Sequence, residues 1–435
     1  MTVVYVHPDL DKLPAPKTGL IPVHLYGSRP DQEGTAALGW RIYDEVSRVN
    51  TPLDPIAFDF LSLALAVTAA DTFVSRDEAA DGWARDIRLT VALDDPARWK
   101  PVLPLLQRAL GFLSGDVWTL KVIAGGKQLP AFRTRAKRTI EPKQCDSACL
   151  FSGGLDSAIG VLDLRKQGRN PILVSHAYTH DAKRQEEILP HLGKGVVRFG
   201  AQASPKGWLG RRNDVQMRTR SFNFLAMGVL MASGLTRPGV QRTTLFVPEN
   251  GLIALNPPLT RRRIGALSTR TTHPYYLGLV QQVLNAAGIP VDLENPYAQR
   301  TKGEMMTNCL DPVPLAAMAA RTVSCGKWKR TGVQCGRCVP CLIRRAAFHG
   351  AGWKDATPYQ LEDQTLQQFF DQGNEPDDLM AMILAARRIK GTDFDKWVAL
   401  TGPMPLGAAD RAARVGAVHR GMIEVENFLR SEIKF

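Results

Sequence analysis

The nine residues CLFSGGLDS at positions 149–157 decide the fold of this chain. The apolar run at 148–151 indicates the end of a buried strand, and an apolar-periodic run from 158 to 164 indicates a helix. Between them, Gly153 and Gly154 have no Cβ atoms, so backbone N–H groups can approach a ligand closely. Strand, glycine turn and helix in this order predict an anion site at a helix N-terminus, suited to a phosphate or a pyrophosphate.

The loop is not a phosphate loop of the Walker type, because the sequence has no Gly-x-x-x-x-Gly-Lys-Ser/Thr pattern and no lysine follows the two glycines. It resembles instead the pyrophosphatase loop Ser-Gly-Gly-x-Asp-Ser of enzymes that split ATP between its α- and β-phosphates and adenylate an oxygen atom. The alternative is an ordinary glycine turn followed by a Ser/Asp helix cap. Six matched positions in a strand–loop–helix context favour the nucleotide loop.

The chain has 435 residues, of which 44% are hydrophobic and 22% charged, which is ordinary for a globular protein of two or three domains. The longest apolar stretch, 56–70, is interrupted by Asp59, Ser62 and Thr68 and is too short to span a membrane. The first residues show no basic segment followed by an apolar core, as a signal peptide would. We therefore expect a cytoplasmic protein with no membrane partner.

The net charge of +13 suits an anionic small substrate, an acidic partner protein or nucleic acid. The basic residues are dispersed, with local groups at 133–138, 211–212 and 261–263, and no nucleic-acid-binding motif surrounds them. Nucleic acid is therefore not expected as the direct substrate. The groups are equally compatible with solvated basic faces and with a surface that binds a partner.

The pattern divides the chain into three parts. Residues 1–144 indicate a small α+β accessory domain, whose best helix ends just before Asp71. Asp71 and Arg76 are expected to be polar surface residues, and the alternative is that they face a partner or the active site. The end of this part, 125–144, is rich in glycine, proline and basic residues and indicates a linker. Over 351–435 apolar positions recur at helical spacing, which predicts a helical C-terminal extension.

The middle part, 145–350, alternates strands and helices. Strands are predicted at 148–151, 172–175, 196–199 and 244–248, and each is followed by a helix. Alternation of this kind predicts an α/β fold with a doubly wound parallel sheet. In such sheets, ligands bind beyond the carboxyl ends of the strands, where the glycine loop lies.

A cysteine group near the end of the middle part predicts a metal site. Four cysteines with chelating spacing occupy the segment 325–341: Cys325, Cys335, Cys338 and Cys341. Four thiolates fit a closed tetrahedral zinc site with a structural role, a zinc knuckle, and the alternatives are free thiols or an iron–sulfur cluster. The cysteines at 145, 149 and 309 lack such spacing and are expected to be buried or surface thiols.

Several further stretches, taken together with the glycine loop and the cysteine group, resemble the 7-cyano-7-deazaguanine synthase family, the QueC enzymes of the queuosine pathway. These stretches are Arg220-Ser221-Phe222-Asn223-Phe224, Glu249-Asn250-Gly251, Thr301-Lys302-Gly303-Glu304 and Cys341-x2-Arg344. The resemblance covers about 145–350, roughly half of the chain. It implies the PP-loop fold of the adenine nucleotide alpha hydrolase type.

The chain also departs from this family. Nine residues rather than eight separate the first two cysteines, the segment 175–180 replaces a glutamine-and-histidine segment, and the loop at 256–263 is remodelled. The ordinary pathway enzymes lack the first 144 residues. A long chain of this kind is similar to the QueC-like components of the Qat and type IV CBASS anti-phage systems, and most of all to the Qat component (QatC).

The resemblance implies an ATP-dependent C–N ligase that forms AMP and pyrophosphate. A 7-carboxy-7-deazaguanine-type carboxylate is adenylated and then attacked by an amine, with ATP, Mg²⁺ and Zn²⁺ as cofactors. The amine is ammonia in the pathway enzyme, which makes 7-cyano-7-deazaguanine (preQ0). In the defence-type relatives we expect the N-terminal amino group of a partner protein from the same operon. Two other classes stay open, a tRNA-modifying thiolase and a non-enzymatic binding subunit.

The resemblance and the loop pattern together assign candidate site residues. ATP is expected on Ser152, Gly153, Gly154, Leu155, Asp156, Ser157, Ser175 and His176. The catalytic candidates, which act on the phosphates or position Mg²⁺, are Asp156, Ser157, Lys302 and Arg220. Asp156 is also expected to cap its helix. The purine-like ring is expected on Asn223, Glu249 and Asn250. Three histidines stay open as acid or base groups: His176, His180 and His273.

Overall fold

The computed structural model describes most of the chain, namely residues 2–30, 34–135, 138–176, 179–208, 213–214, 217–236, 239–261, 270–328, 332–361, 364–372 and 378–435. The basic groups predicted at 211–212 and 262–263 lie outside these ranges, as does Lys137. The side chain of His180 is also outside the described part of the protein.

The first part of the chain forms a five-stranded sheet in which every neighbouring pair of strands is parallel. The strands are β1 (Thr2–His7), β2 (Leu20–Gly27), β3 (Ala36–Gly39), β4 (Asp86–Leu93) and β5 (Val117–Ala124), in the order β3-β2-β1-β4-β5. The helices are α1 (Trp40–Val46), α2 (Pro55–Phe73), α3 (Pro96–Trp99) and α4 (Leu103–Ser114). The α+β class predicted for residues 1–144 is therefore wrong, because the strands run parallel.

That error has a physical cause in the open face of the first sheet. In β5 the side chains of Thr119 and Lys121 are exposed, whereas those of Leu120 and Val122 are buried. Such alternation shows that one face of a strand meets water, but it carries no information on strand direction. Alternation of buried and exposed side chains is commoner in antiparallel sheets, and it therefore favoured the α+β prediction.

A second parallel sheet is built from the middle part of the chain. Its strands are β6 (Ser147–Leu150), β7 (Pro171–His176), β8 (Arg198–Ala201), β9 (Thr243–Phe246) and β10 (Val291–Glu294), in the order β10-β9-β6-β7-β8. Its helices are α5 (Leu155–Lys166), α6 (Thr179–Ile188), α7 (Arg220–Ser233), α8 (Gly251–Leu255) and α9 (Pro274–Ala287). Cys149 packs in the core beside α5, and its neighbour Leu150 packs in the core beside α7, so both faces are covered. The predicted doubly wound parallel sheet is confirmed.

One hydrophobic core joins the two sheets. Helix α2 lies on the first sheet, α7 lies on the second, and the two helices pack against each other. The N–H of Asp54, which precedes α2, donates to Ser233 Oγ at the end of α7 (3.4 Å), and Asp71 near the end of α2 accepts from Thr219 before α7 begins. The two helices are therefore antiparallel. The protein therefore has four layers, which are the first sheet, the helices on that sheet, the helices on the second sheet, and the second sheet.

Helix α2 is apolar on all sides because it is enclosed between these layers. Within the described residues it is the one helix long and apolar enough to cross a membrane, and 94% of that window is buried inside the protein. Burial of this kind is typical of a helix in the core of an α/β protein. The cytoplasmic location stays a prediction.

The segment between the two sheets, predicted as a linker, is tied to the first unit. Asn50 donates its N–H to the carbonyl of Ile140 (2.9 Å), and Arg133 donates its N–H to the carbonyl of Ser47 (2.8 Å). A short strand-like segment after β8 also pairs with β3, since Ala37 and Lys206 exchange two backbone hydrogen bonds. These contacts hold the two units together along the edges of their sheets.

The rest of the chain is helical. Its helices are α10 (Lys302–Thr307), α11 (Pro312–Met318), α12 (Val339–Gly350), α13 (Leu366–Gln372), α14 (Asp378–Arg387), α15 (Phe394–Ala399) and α16 (Ala408–Glu432). Val418, Met422, Val425 and Leu429 recur at helical spacing on α16 and are buried against α12 and α8. The predicted helical C-terminal region is present, and α16 also reaches α10.

Candidate active site

The glycine loop lies at the topological switch point of the second sheet, where the order of the strands reverses. Strand β6 is flanked by β7, which follows it in the chain, and by β9, which comes after β8. Open α/β sheets bind their ligands at such a switch point, beyond the carboxyl ends of the strands. The segments that leave β6, β7 and β9 therefore surround the candidate site, together with the start of α7.

Two neighbouring segments close in on the loop and explain its glycines. Gly153 has φ +82°, a conformation that favours glycine, and a Cβ there would lie 3.0 Å from Gln185 Cγ. A Cβ on Gly154 would lie 3.1 Å from the carbonyl oxygen of Val323. Gln185 Nε2 donates to the Ser152 carbonyl (3.2 Å), and Val323 donates its N–H to the Gly153 carbonyl (3.0 Å).

The loop presents hydroxyl groups and backbone N–H groups at the start of α5. Ser157 Oγ donates to the Gly154 carbonyl (3.0 Å) and lies 3.3 Å from Ser152 Oγ. Gly154 is the N-cap of α5, and no described side chain caps its first turn. The N-terminal N–H groups of α5 and the helix dipole are thus directed to the loop, an arrangement that attracts an anion.

Asp156 does not cap α5, contrary to the prediction, because its carboxylate is bound elsewhere. Asp156 is buried, its Oδ1 lies 2.5 Å from Lys302 Nζ, and its Oδ2 accepts from the Asn250 side chain (2.7 Å) and backbone (3.1 Å). Burial pushes the pKa of Asp156 up, but the charge of Lys302 and hydrogen bonds from Glu249, Lys302 and Asn250 outweigh it and hold the pKa at about 2. The carboxylate is therefore ionised at neutral pH.

Glu249 lies beside this ion pair, at the carboxyl end of β9. Burial and the charge of Asp156 raise the pKa of Glu249 well above its usual value. Asn250 contacts Glu249 Oε1 through its Nδ2 (3.3 Å) and caps α8 by accepting from the N–H of Ile253 (3.1 Å). Asn250 thus links three elements at the switch point, and the substrate contacts predicted for Glu249 and Asn250 stay predictions.

Lys302 reaches Asp156 because its segment starts a helix there. Thr301 and Glu304 form a capping box, in which Glu304 N–H donates to Thr301 Oγ1 (2.9 Å) and Thr301 N–H donates to Glu304 Oε2 (2.9 Å). Lys302 is the first residue of α10, and its side chain is only 7% exposed. A buried lysine needs a charged partner, and Asp156 is that partner.

The first turn of α7 contributes Arg220 and Asn223. Asn223 is 6% exposed, and its Oδ1 is buried without a hydrogen-bond partner among the described residues. An unpaired buried acceptor of this kind is suited to a donor group on a ligand. At the end of β7, the His176 ring lies edge-on to Phe224 (4.8 Å), and Ser175 Oγ donates to the Phe151 carbonyl (2.9 Å). Ser175 therefore supports the loop from inside.

Two polar residues of the first unit are buried here rather than at the surface as predicted. Asp71 accepts from the N–H (2.7 Å) and the Oγ1 (2.8 Å) of Thr219, which precedes α7. Asp71 also pairs with Arg85 (2.5 Å), and Arg76 pairs with Asp116 (2.8 Å). All of these side chains are buried, so the first unit holds the start of α7 through a buried network of charges.

The structure places the histidine candidates in different environments. His273 is fully buried, accepts from the N–H of Tyr275 (3.2 Å) as the N-cap of α9, and lies 3.0 Å from Thr401 Oγ1. Burial and two nearby arginines lower the pKa of His273 to about 3, so it stays neutral and serves as a cap. His176 is half-buried at the carboxyl end of β7. The side chain of His180 lies outside the described residues.

The four clustered cysteines are buried, and their Sγ atoms lie within 4.8 Å of one another. In tetrahedral zinc coordination with bonds of about 2.3 Å, sulfur atoms are about 3.8 Å apart. The Sγ atoms of Cys325 and Cys338 are 3.8 Å apart, so the donor set fits zinc. Arg344 is fully buried next to this site and donates to Thr322 Oγ1 (2.7 Å) and the Ala319 carbonyl (2.5 Å). Arg344, which follows Cys341 on α12, thereby ties the cysteine cluster to the segment that carries Val323 to the glycine loop.

The other three cysteines are poor nucleophiles. Burial raises the pKa of Cys145 to about 11 and that of Cys309 to about 12, and it raises the pKa of the fully buried Cys149 further. The thiols near the loop therefore stay protonated. This weakens the thiolase alternative, which needs a reactive cysteine.

Sequence reasoning missed three residues that contact the site segments: Gln185, Val323 and Glu424. Gln185 and Val323 bond the glycine loop from α6 and from the knuckle, and Glu424 on α16 bonds the start of α10. Gln185 is one polar residue in a polar helix, so no local signal in the sequence marks it, and only the fold shows that it is buried.

Comparisons with known proteins agree with this geometry. Residues 272–352 match the family described as "Queuosine biosynthesis protein QueC". The chain is 28% identical over 239 residues to the 7-cyano-7-deazaguanine synthase of Cupriavidus taiwanensis, which covers 48% of this chain and 96% of that protein. It is 27% identical over 233 residues to the enzyme of Cupriavidus necator, with the same coverage. A shorter match to the Rhizobium leguminosarum bv. trifolii enzyme is 37% identical over 93 residues, 21% of this chain and 37% of that protein.

These matches confirm the resemblance to the QueC family, and the link to the Qat system stays a prediction. They also show that about half of this chain lies outside the region aligned to nearly complete relatives. This chain is therefore similar to 7-cyano-7-deazaguanine synthases over one half of its length.

Proposed function

We propose that the chain is an ATP-dependent ligase that adenylates the carboxylate of a 7-deazaguanine compound and transfers the acyl group to an amine. The observation that carries this proposal is the loop at 152–157, whose hydroxyls and first-turn N–H groups lie at the start of α5, beside buried Lys302. An anion cradle next to a compact positive charge suits the departure of pyrophosphate.

In the first step a carboxylate oxygen of the substrate attacks the α-phosphorus of ATP. The bond between that phosphorus and the bridging oxygen of the β-phosphate breaks, and pyrophosphate leaves. Ser152, Ser157 and the N–H groups at the start of α5 hold the β- and γ-phosphates. Lys302 and Arg220 offset the charge that develops on them.

Mg²⁺ shields the negative charge of the phosphates when it accompanies ATP. Both oxygens of Asp156 are already bonded, one to Lys302 and the other to Asn250. This arrangement does not fit a direct Mg²⁺ ligand, so the role predicted for Asp156 changes. We assign Asp156 to holding Lys302.

In the second step the lone pair of an amine attacks the carbonyl carbon of the acyl-adenylate. The bond from that carbon to the oxygen of AMP breaks, AMP leaves, and the nitrogen loses a proton. Glu249 does not take this proton, because burial and the charge of Asp156 raise its pKa and keep it protonated, so the proton passes to water. Asn223, whose Oδ1 is buried without a partner among the described residues, carries an amide that can recognise the edge of the purine-like ring, whereas the Asn250 amide is already bonded to Asp156 and Ile253.

The acceptor amine that we favour is the N-terminal amino group of a partner protein encoded beside this chain, acting in the cytoplasm within an anti-phage system. Two observations support it. About half of the chain lies outside the alignment to the nitrile-forming relatives, and the net charge of +13 suits an acidic protein partner. Nucleic acid is not needed as a substrate.

The second candidate is 7-cyano-7-deazaguanine synthesis with ammonia as the amine. The names of the aligned relatives favour it. Ammonia first gives an amide, and a second round of ATP-dependent activation, which removes the amide oxygen, gives the nitrile. The two candidates share the adenylation step and differ in the acceptor.

The test supplies the purified protein with ATP, Mg²⁺ and 7-carboxy-7-deazaguanine and measures AMP and pyrophosphate. Ammonium or the neighbouring operon protein is then added, and products are read by intact mass spectrometry. A mass increase on the partner protein supports protein conjugation, whereas free nitrile base with an unchanged partner supports the second candidate. Failure to release pyrophosphate with any 7-deazaguanine carboxylate, with or without an acceptor amine, would reject adenylation.

A further inference from the structure

Two residues of the C-terminal helix α16 bind the first turn of α10. Glu424 accepts from the N–H of Gly303 (3.2 Å) and from the hydroxyl of Thr301. Arg420, one turn earlier on the same face of α16, binds Glu304 Oε1 (2.5 Å). Both members of the capping box that starts α10 are therefore held by one helix.

Gly303 is shaped for this contact. A Cβ at that position would lie 2.6 Å from Glu424 Oε1, so the carboxylate occupies the space that a side chain would need. The carboxylate also lies at the N-terminus of α10, where the helix dipole favours a negative charge. Gly303 directly follows Lys302, and Lys302 Nζ lies 2.5 Å from Asp156. The chain of contacts from α16 thus ends at the glycine loop.

We propose that Glu424 is a positioning residue for Lys302. The C-terminal helix α16 would then support catalysis without contacting the substrate. The role of Lys302 rests on the proposed adenylation. The geometry of the contact does not, and this allows the two ideas to be tested separately.

The charge state of Glu424 follows from its surroundings. Burial raises the pKa of Glu424 to about 6, against the hydrogen bonds from Thr301 and Gly303. Of the charged groups that face it, Glu304 on α10 raises this pKa further, whereas Arg420 on its own helix lowers it. Above pH 6 the carboxylate accepts both hydrogen bonds, and below pH 6 it takes up a proton and loses its charge beside the helix terminus.

The first experiment measures the pH profile of AMP formation in the full-length protein. Glu424→Ala is expected to lower kcat by about 10- to 100-fold with little change in the KM for ATP, because Lys302 is displaced rather than removed. Glu424→Gln can still accept from Gly303 and contact Thr301 but carries no charge at the N-terminus of α10, so its kcat at pH 8 should lie between those of the native protein and Glu424→Ala. The ratio of native activity to Glu424→Gln activity should fall as pH decreases through about 6, since only the native residue titrates.

The matched control is Glu432→Ala, which removes a carboxylate from the same helix where it pairs with Arg345 (3.0 Å) away from α10. We expect its kcat and pH profile to be unchanged. An equal loss in Glu424→Ala and Glu432→Ala would show a general effect on α16 and would overturn the proposal.

The second experiment needs no substrate. Hydrogen exchange of the peptide 299–308 should be faster in Glu424→Ala and unchanged in Glu432→Ala. Faster exchange with normal kcat would reduce the contact to a structural one and overturn the positioning role, as would unchanged exchange. If the native protein forms no AMP, the proposed function fails, and this exchange measurement still decides whether Glu424 holds α10.

Discussion

The two sheets of this protein have the same strand order, yet only the second carries the candidate site. Numbered along the chain within each sheet, both read 3-2-1-4-5 with all strands parallel. Helices α2 and α7 each precede the fourth strand, and α4 and α9 each precede the fifth. These equivalent helices pack against each other in pairs, α2 on α7 and α4 on α9.

Both pairs are antiparallel, which is the arrangement that an approximate two-fold axis produces. Arg98, just before α4, contacts the carbonyl of Ala287 at the end of α9, and Phe112 near the end of α4 contacts His273 at the start of α9. The first unit thus covers the second much as a second copy of it would. Strand order alone did not give the first unit a binding loop.

The difference lies in the connection that leaves the central strand. After β6 the chain makes the glycine loop and then α5, whose first turn faces the loop. After β1 it makes a turn closed on itself, in which Asp9 N–H donates to His7 Nδ1 (2.9 Å), and it reaches β2 with only a short 3-10 turn. An anion site needs a helix N-terminus after the strand, and the first sheet has none there among its described residues. The candidate site therefore depends on the connection that follows the central strand, and the strand order alone does not produce it.

The largest expected effect is at Lys302. Lys302→Ala should lower AMP formation by about 1,000-fold, because it removes the charge next to the loop and leaves Asp156 buried without its partner. Unfolding should also become easier by about 3 kcal/mol. Pyrophosphate release and urea unfolding measure the two effects.

The matched control is Lys121→Ala, an exposed lysine on the open face of the first sheet. It should change neither activity nor stability. An equal loss of activity in both variants would contradict the conclusion that only the second sheet carries the site.

The next effect concerns the zinc knuckle, which belongs to the second unit. Cys335→Ser should reduce bound zinc from one ion per chain to almost none and lower Tm, because a structural zinc site contributes several kcal/mol to folding. It should also loosen the contact from Val323 to Gly153 and lower AMP formation. Metal analysis and thermal unfolding test this, with Cys309→Ser as the control outside the cluster. Full zinc content in Cys335→Ser would reject the site.

A smaller effect tests whether the first unit supports the second. Asp71→Asn removes the charge that Arg85 pairs with, and it weakens the two hydrogen bonds to Thr219 that hold the start of α7. We expect about 3 kcal/mol of lost stability and a roughly tenfold lower kcat through Arg220 and Asn223. Asp86→Asn, at an exposed position of β4, is the control. Loss of stability with full activity would limit Asp71 to folding.

The smallest effect compares one buried carboxylate from each unit across acid pH. Asp156 has its pKa lowered to about 2, so its contribution to stability is present above about pH 4, where it ionises in the unfolded chain, and is lost as pH falls toward 2. Burial raises the pKa of Asp59, although the N–H groups of Asp94 and Asp95 bond to it, so its contribution is lost as pH rises.

Urea unfolding of the native protein, Asp156→Asn and Asp59→Asn between pH 3 and 7 measures both contributions. The stability difference from the native protein should grow with pH for Asp156→Asn and shrink with pH for Asp59→Asn. The same sign of slope in both variants would contradict the assigned pKa directions.

Much of the second unit could be predicted because its signals are local. The glycine loop, the helix at 220–233 and the four-cysteine spacing each depend on residues close together in the chain. Boundaries shifted by a few residues, as in β8, predicted at 196–199 and found at Arg198–Ala201. The first unit was assigned the wrong class because alternating strands do not reveal their direction.

The candidate site residues come from local patterns and a family resemblance, whereas the contacts among them could not be predicted. Asp156 was expected to cap its helix, and instead it binds Lys302 and Asn250. Asp71 was expected at the surface, and instead it is buried against Thr219. In each case a segment distant in the sequence supplied the partner, which no local pattern shows.

The sequence by itself determined the glycine loop between a strand and a helix and the spacing of the four clustered cysteines, since each is a short pattern with one dominant local geometry. Only the tertiary structure decided that Lys302 meets Asp156, 146 positions away, and that Glu424 meets Gly303, 121 positions away. Contacts over such separations form when packed layers bring segments together, and hydrophobic periodicity does not specify which segments meet.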